Sequence, residues 1–364
     1  MTTITIIGAG LSGLSLATHL INDGVEGKEI QLFHSHQHPT ASQLPCALLN
    51  PTPGPSVAPK PFTLEAFSYS LDWFQKQSSA DSILEIELWR PFSHSNSYGE
   101  RIQRSFENNR DLLEKHVQAS KQKIFLETTD WLHNTDEIIT FPSCLSIALH
   151  QLCQRLKQYL VKQGVTIIET PVTSIKAKGN GWRMETGRGP QQSDKLVLCT
   201  GSAISKLMPN LPFCNIAGHV LEIDWKSPLP KKVGLSGNGV HMVPTPWNTW
   251  ILGSTYYHHP EQEPGSEDEI ANILLEKAAH WIAQIKESNP LKLWRGSRLT
   301  APPDRSPVVG PVPEMRNLFI LSAFASKGTL WIPWTAKKLS KLLTRHDNQI
   351  PKSLSVSRLK TPTP

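Results

Sequence analysis

A chain of 364 residues, 38% of them apolar, has material for about two domains or one large unit with a second lobe. That apolar share, with a net charge of only +6, excludes a disordered chain. No run approaches the roughly 20 apolar residues of a bilayer-spanning helix, and neither heptads nor a fixed-period repeat is present. The charge is uneven. From residue 335 onward, Lys337, Lys338, Lys341, Arg345, Lys352, Arg358 and Lys360 face Asp347 alone, and they carry the whole formal excess. The preferred reading is a solvated helix end followed by a loose terminus, over a contact with nucleic acid or anionic lipid. Five cysteines without a CxxC pair, and an opening without the charged and apolar regions of a secretory leader, predict a cytoplasmic chain.

Taken in chain order, Ile4, Ile6 and Ile7 predict a strand that runs straight into Gly8-Ala9-Gly10-Leu11-Ser12-Gly13. An apolar, helix-like stretch follows (Leu14, Leu16, Ala17, Leu20). Between strand and helix this spacing predicts a dinucleotide site. Gly8 permits the tight turn, Gly10 the approach of a pyrophosphate, and Gly13 the close packing of helix on strand. The helix N-terminus then offers free N–H groups to the phosphates. Residues 29–33 predict the second strand, and His34 occupies the place where a carboxylate ordinarily meets the adenosine ribose. The alternation His34, His36, His38 also admits a metal reading, but Pro39 argues for a surface loop, and no metal site is assigned.

Residues 39–61 are too proline-rich for regular structure. Helical periodicity resumes at 63–75, and 83–140 does not divide into elements. Leu145, Leu149, Leu152, Leu156 and Leu160 predict an amphipathic helix closed by Gly164. Strands are predicted at 165–168, 172–177 and 195–199, and an antiparallel sheet between 218 and 257. A second long helix covers Ile270 to Ile285, then a strand 318–321 and a closing helix 334–343. Dinucleotide-binding elements thus fall at the beginning, middle and end. The expected architecture is α/β: a discontinuous Rossmann-like domain (1–80, 140–212, 296–345), an inserted antiparallel-sheet substrate domain (81–139, 213–295), and a basic tail (346–364).

Further motifs carry a family resemblance over most of the chain. They are Ala41-Ser42 through Ala47 to Pro51, Leu196-Val-Leu-Cys-Thr200-Gly201, Ala217-Gly218-His219, Gly253-Ser254-Thr255-Tyr256, Asp304 to Pro311, and Ala325-Ser326-Lys327-Gly328-Thr329-Leu330. With the glycine turn, they resemble the FAD-dependent oxidoreductases of the D-amino-acid oxidase and glycine oxidase superfamily. Within it, Ala41 to Pro51, Arg298 with Asp304 and Gly310, and Ser326 to Gly328 are similar to the oxidase half of the bifunctional tRNA wobble-uridine methylaminomethyl enzyme. The resemblance implies FAD, held by Gly8, Ala9, Gly10, Leu11, Ser12, Gly13, His34, Ser42, Ala47, Val172, Thr200, Gly201, Gly310, Ser326, Lys327, Gly328, Thr329 and Leu330. The sequence departs from the family pattern in His34 for the ribose acid, Ala47 for glycine and His219 for glutamine.

The implied activity is oxidation of the C–N bond of a small amine or amino acid by hydride transfer to flavin, with hydrolysis of the imine. A planar, bidentate Arg298 suits a substrate carboxylate, and Tyr256 can lend an O–H to the ligand. Alternatives are oxidative removal of a carboxymethyl group from a tRNA wobble uridine, or a flavoprotein without amine turnover. Expected partners are therefore the amine and, in the alternative, tRNA, with neither membrane nor metal.

Overall fold

The β-branched run Ile4-Thr5-Ile6-Ile7 forms β1 (Ile4–Ile7), buried at every position as a central parallel strand must be. The computed structural model describes residues 2–35, 40–123 and 131–359. After β1 come α1 (Leu11–Asn22), β2 (Ile30–His34), β3 (Ala47–Leu49) and α2 (Thr63–Gln77). Next are β4 (Ile83–Phe92), α3 (Ser97–Glu107), α4 (Arg110–Val117), β5 (Ser120–Lys123) and β6 (Glu137–Ile147). α5 (Leu149–Lys162) leads to β7 (Thr166–Glu169), β8 (Val172–Lys178), β9 (Gly181–Thr186), β10 (Gln191–Ser193), β11 (Lys195–Leu198) and α6 (Ile204–Leu207). β12 (Cys214–Asp224), β13 (Val233–Gly237), β14 (Val240–Pro244) and β15 (Trp250–Gly253) precede α7 (Glu267–Ala279) and β16 (Asn289–Thr300). β17 (Val308–Pro311), β18 (Leu318–Ser322) and α8 (Gly328–Arg345) complete the regular elements. Among the described residues no helix is long and apolar enough to cross a membrane.

The chain forms two compact units, Met1–Gln43 with His150–Ile216 and Ser297–Pro364, and Leu44–Leu149 with Ala217–Gly296. In the first, a six-stranded sheet has the order β17-β18-β11-β1-β2-β7. β1 lies parallel between β2 and β11, with Ile4 beside both Ile30 and Lys195. β17 closes the edge antiparallel to β18. A separate antiparallel sheet joins β8, β9 and β10.

The second unit holds a sheet of order β16-β12-β15-β14-β13-β4-β6-β3, with β5 added beside β6. Its pairings are mostly antiparallel, as expected, but β4 and β13 run parallel, Val233 beside Glu87. No hairpin links those two strands, so nothing constrains them to run oppositely. Their core includes Leu221, Ile223, Leu274, Trp281 and Ile285.

Residues 44–80, placed with the cofactor domain on sequence grounds, cluster with the second unit. The cause is local pairing. β3 adds to β6 through Ala47 and Ile147, and the buried Arg90 guanidinium donates to the Thr52 and Gly54 carbonyls at 2.9 Å each. Residues 145–147, read as the start of a helix, end β6 instead, and α5 begins at Leu149.

Within the tail read as loose, residues 354–359 are docked. Leu354, Val356 and Leu359 are buried, and Ser355 bridges to Val309 of β17. Arg358 donates to the Ser306 carbonyl at 2.6 Å and to Asp304 at 3.1 Å. Of the other tail cations, Arg345 lies 3.7 Å from Asp23, and Lys338 sits over the Trp334 ring.

α1 packs on α8, and Ser340 donates to Asp23 at 2.7 Å across that contact. His19 of α1 is buried there. Desolvation lowers its pKa from 6.5 to about 4, against the attraction of Asp23 and with the repulsion of Lys337. The folded state thus favours neutral imidazole. As pH falls below 6.5 the unfolded chain takes up a proton that the native chain refuses until about pH 4. Stability present above pH 6.5 should fall by about 3 kcal/mol across that window. Urea unfolding of wild type and His19→Gln at pH 7 and pH 4.5 checks this. The variant should lose less stability on acidification, and equal losses would remove His19 as the cause.

Candidate functional site

The turn from β1 into α1 requires glycine for steric reasons that differ by position. Gly8 has φ +110, and a Cβ there would lie 2.3 Å from the Cys199 carbonyl oxygen at the end of β11. At Gly13 a Cβ would lie 1.9 Å from the Gly8 carbonyl oxygen, so α1 rests directly on the turn. At Gly10 the nearest atom is Ser42 Oγ, at 2.9 Å, and this oxygen accepts the Leu11 N–H at 3.0 Å. No side chain caps α1 at Gly10, and its first turn contains no acidic residue. The positive end of the helix dipole is therefore left for a ligand.

Gly8 to Ser12 form one wall of a cavity of about 460 Å³, lined entirely by the first unit. That volume lies within the range of small-molecule sites. The opposite wall comes from the β18–α8 turn, where Ala323 and Ala325 have φ +59 and +53. Left-handed backbone is unfavourable for alanine, so two such residues in one turn mark a shape fixed by its surroundings. The Ala325 N–H donates to the Leu299 carbonyl at 2.9 Å, which sets this turn beside Arg298.

Electrostatically the cavity is one-sided. Lys157, Lys206 and Arg298 line it, with His34 and His150, and among the described residues no Asp or Glu does. Thr200 Oγ1 is buried without a hydrogen-bond partner on the same wall. An orphan hydroxyl, a helix end whose cap residue has no side chain and a glycine cradle together fit the pyrophosphate and polar groups of FAD. Cys153 and Cys199 also line the cavity. Burial pushes both thiols up, Cys153 to about 12, so neither is a thiolate nucleophile.

The structure brings together on this cavity Gly8, Ala9, Gly10, Leu11, Ser12, His34, Ser42, Val172, Thr200, Gly201, Arg298 and Gly328. Gly13 stands behind the turn. Ser326, Lys327, Thr329 and Leu330 flank Gly328 at the start of α8, with Thr329 and Leu330 buried and Ser326 exposed. Gly310, at φ +113, has Ile350 Cδ1 of the C-terminal segment 3.4 Å from its Cβ position. Ala47 lies on β3 of the second unit, and Tyr256 is exposed just after β15 of that unit. His36, His38 and Pro39 lie outside the described residues. Among the described residues no group of three or more His, Cys, Asp or Glu side chains is placed to hold a metal ion.

His219 is a member of a network, not an isolated base. On β12 it is buried, with Nδ1 3.2 Å from Thr255 Oγ1 and Nε2 3.0 Å from Glu263. Arg295 grips Glu263 through two bonds of 2.6 and 2.7 Å and holds that carboxyl below the usual carboxylate range. Sequence reasoning missed the face of α5 formed by His150, Cys153, Gln154 and Lys157. Its leucine stripe marked the buried side of the helix, but nothing local indicates what the polar side confronts.

Residues 3–342 match the family model described as FAD dependent oxidoreductase, DAO. A glycine oxidase from Geobacillus kaustophilus (strain HTA426) is 25% identical over 187 residues, 49% of this chain and 48% of that protein. The tRNA 5-methylaminomethyl-2-thiouridine biosynthesis bifunctional protein MnmC of Leptospira borgpetersenii serovar Hardjo-bovis (strain JB197) is 21% identical over 327 residues, 85% of this chain and 48% of that protein. The chain spans about half the length of these curated relatives. Among solved structures, glycine oxidase from Geobacillus kaustophilus superposes with a TM-score of 0.80 at 19% identity, covering 98% of each chain. Iminodiacetate oxidase (IdaA) from Chelativorans sp. BNC1 gives 0.80 at 15% identity, covering 97% of this chain and 98% of that one. These structural likenesses establish the shared fold. With the glycine cradle, the carboxylate-free cavity and a family match across residues 3–342, the chain belongs to the DAO family of FAD dependent oxidoreductases and is an enzyme whose cofactor is FAD.

Proposed function

We propose that this enzyme oxidises the C–N bond of a small amine or amino acid that carries a carboxylate. The observation that carries the reading is Arg298, half-buried on a cavity wall that has three permanent cations and no carboxylate. A negatively charged substrate meets attraction from Arg298 and no opposing side-chain anion on that wall. The names of the relatives, glycine oxidase and iminodiacetate oxidase, describe amines of that kind and support the assignment.

The chemistry FAD supplies is acceptance of a hydride equivalent from the carbon beside the amine nitrogen, which leaves an imine that water hydrolyses. The chain's own residues bind and orient. The Gly8–Ser12 backbone and the α1 N-terminus receive the pyrophosphate, and the Thr200 hydroxyl offers a further polar contact. Arg298 fixes the carboxylate by a planar fork, which settles which carbon–hydrogen bond is presented. We assign Ser326 to Leu330 to the same cofactor, at the start of α8. Tyr256 is assigned a ligand O–H role, for which Tyr256→Phe is the test.

The purified protein should be yellow and should bleach anaerobically with glycine, N-methylglycine or iminodiacetate. Arg298→Ala should raise KM for those amines by roughly 10- to 100-fold, the value of a charge-assisted hydrogen-bonded pair. Its Kd for FAD should stay unchanged. Bleaching only by amines that lack a carboxylate, or an unchanged KM in the variant, would overturn the assignment.

A second reading is favoured by the 85% of this chain aligned with MnmC: the amine is carried on a modified tRNA. Its mark would be bleaching by carboxymethylaminomethyl-uridine tRNA at concentrations where free amines have no effect. Affinity should then fall steeply with salt.

A further inference from the structure

We infer that the adenosine half of FAD is held in this chain by the polar face of α5, through Gln154 and Lys157 acting with His34, in place of a strand-end carboxylate. The inference rests on FAD as the cofactor and concerns which residues read its adenosine. In a site of this topology the ribose hydroxyls ordinarily donate to an Asp or Glu at the end of the second strand. β2 ends in His34, and among the described residues no Asp or Glu lines the cavity. Neutral imidazole supplies one acceptor, so two ribose hydroxyls need another.

Topology puts α5 where that acceptor is wanted. α5 leads through Gly164 into β7, which lies parallel to β2 on the side away from β1, with Glu169 beside His34. A helix that feeds a parallel strand runs antiparallel to it. The first half of α5 therefore lies at the carboxyl ends of β2 and β7, the side on which ligands bind. Gln154 lies in that half, Lys157 follows three residues later on the same face, and both line the cavity.

Their chemistry complements what His34 lacks. Gln154 Nε2 lies 2.9 Å from His150 Nε2. An amide nitrogen only donates, so in this arrangement the imidazole accepts and Oε1 remains as the amide's acceptor. Lys157 lines the cavity and brings three donors for ribose oxygens or adenine nitrogens. A carboxylate would offer acceptors alone and would repel the neighbouring pyrophosphate. The Gln–Lys pair offers both kinds of bond and attracts it.

The test is fluorescence titration of FAD into apoprotein. Lys157→Ala and Gln154→Ala should each raise the Kd for FAD about fivefold to tenfold, with circular dichroism and thermal midpoint unchanged. ADP, which carries the adenosine and the diphosphate without the flavin, should lose competitive affinity by the same factor. Adding His34→Glu to Gln154→Ala should recover most of the loss, because an acceptor returns to the end of β2. Wild-type Kd values for FAD and ADP in both single variants, or no rescue by His34→Glu, would overturn the inference. Failure of the wild-type protein to take up FAD would instead overturn the cofactor assignment beneath it.

Discussion

Gly13→Ala should unfold the first unit, whereas Gly10→Ala should leave it folded and unable to hold FAD. The two positions are three residues apart in one turn, and the difference lies in what a methyl group would meet. At Gly13 it would stand 1.9 Å from a backbone oxygen of the same turn, which no side-chain rotation relieves. α1 would have to lift off β1, loosening the packing of the buried Leu14, Leu16 and Leu20. Overpacking with partial loss of that core should cost about 3–5 kcal/mol, a large part of a typical domain's net stability. At Gly10 the backbone is ordinary, φ −80, and the obstacle is the tip of Ser42, which can rotate away. The fold should lose under about 1 kcal/mol. The methyl group then occupies the approach to the helix N-terminus and displaces Ser42 from the Leu11 N–H. FAD affinity should fall at least ~100-fold, about 3 kcal/mol. Thermal unfolding and FAD titration of both variants separate the two effects. A stable Gly13→Ala protein would refute the steric account of the turn.

Removal of residues 348–364 should destabilise the enzyme by about 5 kcal/mol. Those residues bury Leu354, Val356 and Leu359 against the first unit, and each fully buried side chain of this kind contributes about 1.5–3 kcal/mol. They also supply the Ser355 bridge to β17 and the Arg358 contacts with the 304–307 segment. Losing the bridge exposes the edge of β17 to pairing with other chains. Urea unfolding of the shortened chain measures the total. Val356→Ala, expected to lose about 2 kcal/mol, gives the same answer if the shortened chain aggregates. Unchanged midpoints in both would show that the docked segment contributes nothing.

The cofactor turn was legible because its signal is local. A β-branched strand, three glycines and an apolar helix occupy about twenty consecutive residues, and Gly8 and Gly13 have the steric roles their spacing predicts. The strands at β11 and β18 were equally plain, being short apolar runs bounded by turn residues. Legibility failed where an element's partner is distant. Residues 145–147 continue a helix-like leucine spacing, yet pairing with β3 and β4 draws them into β6. Ala47 sits in a family-like motif, but β3 pairs with β6, whose end lies a hundred residues later. α8 begins at Gly328, six residues before the expected start, and Pro333 lies inside it. The buried Leu330, Trp331, Ile332 and Trp334 hold the helix through it. The tail was misread from charge alone, although its apolar residues at 354, 356 and 359 decide its place.

The order of strands around β1 also bears on how the protein is made. β2 arrives within thirty residues, but β11, the other neighbour of β1, is about 190 residues further on. At translation rates of roughly 5–20 residues per second, one edge of β1 waits some 10–40 seconds for its partner. During that interval a β-branched, largely apolar strand offers unpaired amides beside a glycine turn with nothing to bind. Nascent chains of this enzyme should therefore depend on chaperone cover until β11 emerges.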